Sequence, residues 1–145
     1  MCKPINLNNI STDASKAQST LRTLIARVLR ERLATDKGFS YCPVLGLDAP
    51  YSAYMVSLHQ YESVYSNLDA ISVGAIADNI VRCELLSKCA VADQHYYVGG
   101  WVADNGKVYL DISINIHDLE EAKAFGRENR QLAIWDCRNK VSINL

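Results

Sequence analysis

Few residues of this 145-residue chain stand where their types and spacing could do chemistry. Arg127, Asn129 and Arg130 place two forked donors and an amide close together. Such a set can clamp phosphates bidentately. Cations at the C-terminal end of a helix also offset its dipole, which is the plainer use of the same residues. Eight tyrosines include Tyr51, Tyr54, Tyr96, Tyr97 and Tyr109. A flat ring with a hydroxyl can stack on a base and bond a ribose, or it can fill the boundary of a core. Asp111 could act as an acid or base, or stand as a carboxylate on the solvated face of a sheet. Ligand-binding residues are therefore expected at Arg127, Asn129, Arg130, Tyr109, Asp111 and Tyr54.

Catalytic residues, a metal site and a cofactor are not expected. The five cysteines, Cys2, Cys42, Cys83, Cys89 and Cys137, are odd in number. Cys83, Cys89 and His95 recur at wide intervals, unlike the short ligand pairs of zinc sites. A Cys/His nucleophile pair has no support from spacing. Gly99-Gly100 lies within a strand pattern and opens no helix, so it is not a phosphate loop.

These residues hang on a few elements. Alternating apolar runs flank Asn105-Gly106, a dipeptide suited to a type I′ hairpin turn. Taking those two as the loop pairs Asp104 with Lys107, Trp101 with Leu110, Gly99 with Ile112 and Tyr97 with Ile114. That register makes Tyr97, Trp101, Leu110 and Ile114 core. It puts Val98, Gly100, Val102, Tyr109, Asp111 and Ser113 on the other face. Adjacent glycines in a strand suggest a close approach by backbone, ligand or side chain.

Leu21, Leu24, Ile25, Val28, Leu29 and Leu33 predict an amphipathic helix over 14–35, ended by Gly38. Arg22, Arg27, Arg30 and Arg32 read as its outer face. Residues 1–12 read as a flexible arm, and 38–52 as a connecting loop. A strand is expected over 53–58, a short strand or loop over 61–65, and a helix from Val73 to Cys89 capped by Ser72. Asp118 and Glu121 form a capping arrangement for a further helix. In it Gly126 allows close packing. Strands over 132–135 and 141–143 follow. The fold class is α+β: one domain over 1–145, an antiparallel sheet built on the central hairpin and packed by about three helices.

A chain of this length buries roughly 68–70% of its unfolded surface and needs no staple. Its net charge is −1, so nothing draws nucleic acid or an anionic membrane. Residues 1–10 lack a basic segment followed by a long apolar run, and no stretch approaches the ~20 apolar residues of a membrane span. A cytoplasmic protein with free thiols is expected.

The segments at 53–58 (AYMVSL), 97–102 (YVGGWV), 106–111 (GKVYLD), 118–122 (DLEEA) and 129–136 (NRQLAIWD) together resemble small proteins carried by phages, prophages and plasmids. Among these the first Thoeris anti-defence family is the closest functional candidate. The resemblance implies a homo-oligomeric sponge that sequesters cyclic ADP-ribose isomers made by a host's immune sensor, without cleaving them. It covers about residues 50–138 and carries over no ligand residue. Arginines, an asparagine and tyrosines suit the pyrophosphate, riboses and adenine of such a ligand. The long N-terminal helix can supply an oligomer contact. The alternatives are direct inhibition of a host defence protein, in the manner of anti-CRISPR proteins, and a small nucleotide-processing enzyme using Asp111.

Overall fold

A computed structural model describes residues 7–90 and 94–145, with side chains from residue 14 onward in the first helix. It is an α+β fold, as its hydrophobic patterning predicts: three helices and one eight-stranded antiparallel sheet. The chain runs α1 (Leu7–Thr35), β1 (Gly38–Cys42), β2 (Leu47–Asp48), β3 (Tyr54–Ser57), β4 (Ser63–Tyr65), α2 (Val73–Ser87), β5 (Tyr96–Val102), β6 (Val108–Ile116), α3 (Leu119–Glu128), β7 (Ala133–Asp136) and β8 (Val141–Asn144). Sheet order is β2-β1-β5-β6-β3-β7-β8, with β4 also on β6. The long β6 is shared along one side, by β4 at its start and β3 at its end.

The hairpin β5–β6 is central, but its register differs by one residue from the expected one. Val102 pairs with Val108, Trp101 with Tyr109, Gly99 with Asp111 and Tyr97 with Ser113. Only Gly106 takes a positive φ, +83°, and Asn105 does not. The Gly106 N–H donates to Ala103 O at 2.9 Å, and the Ala103 N–H to Lys107 O at 2.8 Å. This is the longer hairpin loop, a turn followed by a left-handed glycine, and a type I′ turn would need both central residues at positive φ. A one-residue slip moves each side chain to the face opposite its expected partner. Tyr97 and Trp101 therefore stand on one face, and Leu110 and Ile114 on the other.

The core follows from the corrected register. Val98, Val108, Leu110 and Ile112 are at most 1% exposed and pack against Leu29 and Leu33 of α1 and Ile76, Ile80 and Cys83 of α2. Further along the same face, Val56, Ile114, Ile116 and Ile134 receive Ala122 of α3. All three helices thus lie on one side of the sheet. Gly126 admits the side chains of Leu145 and Ile134, which a methyl there would meet at 2.6 and 3.0 Å.

Ser72 and Asp118 cap α2 and α3 as expected, accepting from Ala75 N at 3.0 Å and Glu121 N at 2.9 Å. The stretch 38–52 is not only a loop. It holds β1, which pairs with β5 from Gly38–Trp101 to Tyr41–Val98, and the edge strand β2. Gly and Pro punctuation conceals two strands too short to show a period of two. Residues 7–12 of the expected arm belong to α1; residues 1–6, with Cys2, lie outside the described residues. Helix α1 ends through Lys37 at φ 65°, one residue before Gly38.

Candidate functional site

The helix-free face of the sheet carries Ser40 and Cys42 of β1, Tyr97, Gly99 and Trp101 of β5, and Tyr109, Asp111, Ser113 and Asn115 of β6. Met55 and Ser57 of β3 and Trp135 of β7 complete it. One half is covered. Ala49 and Ala53, on the chain entering β3, pack with Cys42, Met55, Tyr97 and Cys137. The other half is open: Trp101 is 47% exposed and Val64 54%, while Trp135, paired with Met55 at the far end of the sheet, is 43% exposed.

Asp111 stands at the border between the two halves. It is buried, and its Oδ2 accepts a hydrogen bond from Ser57 Oγ. Gly99 makes this possible, because a methyl group there would overlap Asp111 Oδ1. Gly100 serves the opposite face, where Phe39 would lie 2.7 Å from such a methyl. The paired glycines thus admit a carboxylate on one side and an aromatic ring on the other. Burial pushes the Asp111 carboxyl up to about 6; the Ser57 hydrogen bond opposes this and the charge of Glu62 adds to it. A carboxyl poised near neutral pH beside an open surface marks a candidate site. Next to it Trp101 and Tyr109 stack, ring centroids 4.4 Å apart and planes within 8°. Asn115, farther along β6, accepts from His95 N at 3.0 Å.

Of the six residues expected to bind ligand, Tyr109 and Asp111 meet on this face. Tyr54 does not: it pairs with Ile116 and packs into the core beneath α3. Arg127, Asn129 and Arg130 also belong to the helix-bearing side, at the end of α3. There the Arg130 N–H donates to Arg127 O (3.1 Å), the Gln131 N–H to Gly126 O (2.9 Å) and Asn129 Nδ2 to Phe125 O (3.0 Å). Arg130 has φ 58°. These are the bonds of a Schellman cap with arginine at the left-handed position. The segment therefore closes a helix, and its two arginines are exposed.

Three of the four arginines of α1 are engaged in the fold. Arg22 grips Glu84 of α2 at 2.6 Å, Arg30 donates to the carbonyls of Ile71 and Leu68 at 2.9 and 3.1 Å, and Arg32 meets Asp48 at 2.8 Å. Arg138 stands beside Cys137 at the margin of the helix-free face, its guanidinium 5.9 Å from the centre of the Tyr51 ring. Among the described residues no group of three His, Cys, Asp or Glu side chains could hold a metal ion, and no helix is long and apolar enough to cross a membrane.

Sequence reasoning missed Ser57 and Trp101 as members of the site. A two-residue loop predicts Trp101 in the core; the longer loop pairs it with Tyr109 directly. No family model matches the chain, and no curated protein or solved structure matches it.

Proposed function

We propose that this chain is a binding protein that holds a nucleotide-type ligand on the helix-free face of its sheet and does not transform it. The single observation that carries this reading is the stacked Trp101–Tyr109 pair lying beside the buried Asp111–Ser57 contact. An exposed indole offers a platform for a base, and stacking of this kind contributes about 1–3 kcal/mol per base. A carboxylate and a hydroxyl next to the platform suit ribose hydroxyls, which both donate and accept. The resemblance to the first Thoeris anti-defence family makes a cyclic ADP-ribose isomer the ligand to try first. In that setting the protein would act as a sponge in the host cytoplasm, blunting an immune signal.

A second reading is favoured by the openness of the face. Trp101 and Trp135 are exposed aromatics of the kind that anchor protein interfaces, so the same surface would serve an inhibitor of a host defence protein. Incubation with cyclic ADP-ribose isomers, removal of free ligand, heat denaturation and chromatography separate the readings. Recovery of intact nucleotide is the expected result. A cleaved product would make the protein an enzyme centred on Asp111. Recovery of no nucleotide would sink the sponge and favour the protein partner.

A further inference from the structure

Strand pairing fixes what stands on either side of the stacked Trp101 and Tyr109. Tyr109 is followed outward by Val64 of β4, and Trp101 by Gly38 of β1. Paired residues share a face, so the row across the helix-free face reads Gly38, Trp101, Tyr109, Val64. Rings 4.4 Å apart and within 8° of parallel are stacked across the strands, at about the 4.8 Å strand spacing. One face of the indole therefore lies against the Tyr109 ring. The other is turned toward β1, where Gly38 has no side chain to meet it, and Trp101 stays 47% exposed.

The backbone does not require glycine at 38. Its φ lies outside the left-handed region, and Lys37 takes the left-handed turn at the end of α1. A methyl group on Gly38 would stand beside the indole, 3.6 Å from Trp101 Cβ, and 3.1 Å from Gly100 O. A larger side chain would fill the space against the ring. Strand β2 pairs only with Tyr41 and Cys42 of β1, so among the described residues no strand borders Gly38 on its outer side. The result is a shelf with a glycine floor and an indole wall, open at the sheet edge.

The inner end of the shelf is polar. Ser40, the next residue of β1 on this face, is half-buried. Across β5 from it, the Asp111 carboxyl lies over Gly99. A hydroxyl and a carboxyl both accept hydrogen bonds from a ring amine.

We propose that the ligand's base lies on this shelf, over Gly38 and against the outer face of Trp101, as the third ring of a stack begun by Tyr109. Its amine edge points to Ser40 and Asp111, which favours a purine carrying an exocyclic amine. The inference rests on the nucleotide reading above and gives that reading a location.

Nuclear magnetic resonance of the isotope-labelled chain with a cyclic ADP-ribose isomer tests it. Nuclear Overhauser contacts should join the base protons to the Gly38 Hα protons and to the Trp101 ring. In calorimetry G38V should bind at least about tenfold more weakly, whereas V64T, at the other end of the row, should bind as the parent does. Thermal unfolding shows whether G38V keeps the fold; if it does not, the contacts in the parent decide. Contacts to the Val64 methyl groups in place of Gly38, or full affinity in a folded G38V, would overturn the shelf and leave the nucleotide reading standing. A parent that binds no nucleotide would overturn both.

Discussion

Asp111 shows how one residue couples the sheet to the site. It lies over Gly99, takes the hydroxyl of Ser57, and has little water around it. Its raised folded-state pKa fixes the sign of its effect on stability. The group's stabilising contribution is complete below the unfolded value of 3.8 and is lost as pH rises through about 6. D111N removes the buried charge, so it should be more stable than the parent at about pH 8, by roughly 1–3 kcal/mol, with the difference shrinking toward about pH 4. Urea unfolding across that range measures it. A difference that stays constant with pH would contradict the assignment. Asp136 has the opposite sign. Its carboxyl is below the usual range: burial would raise it, but the Asn139 side chain and the backbone N–H groups of Asn139 and Arg138 more than offset that. Its contribution is therefore lost as pH falls. The chemistry of Asp111 was legible in the sequence as a residue type. Its burial was not, because burial depends on Ser57 and Gly99 meeting it across two other strands.

At the scale of elements, helices and their caps were the most legible parts. Ser72 and Asp118 are local signals, read within three residues of where they act. The central hairpin was legible as a hairpin but not in register. Asn105-Gly106 is compatible with two loop lengths, and the local sequence does not say whether Asn105 takes a positive φ. That single residue decided which side chains face the helices and which face solvent. Strand β1 was hidden for another reason: it is held by pairing to β5, a partner more than fifty positions away, and the two-residue edge strand β2 is held in turn by β1. The end of α3 illustrates a residue type serving two explanations. Arg127, Asn129 and Arg130 looked like an anion clamp, and the Schellman bonds account for them as a cap. Relieving the left-handed strain with R130G should stabilise the fold by about 0.5–1 kcal/mol. The same variant should leave ligand affinity unchanged. Thermal unfolding and a binding titration check the two halves of that expectation; a loss of affinity would return Arg130 to the site.

For the whole molecule, the arrangement is two-layered and one-sided. Three helices cover one face of the sheet, a short segment covers half of the other, and an aromatic and polar surface remains. Both tryptophans of the chain, Trp101 and Trp135, stand on that open face. Intrinsic fluorescence therefore reports on the proposed site. The most direct measurement is a titration of W135F with cyclic ADP-ribose isomers, following the emission of Trp101 alone, with W101A compared by calorimetry. A saturable change in W135F, and an affinity at least about tenfold weaker in W101A, is the predicted result. Unchanged emission at saturating nucleotide, or full affinity in W101A, would contradict a ligand site on this face.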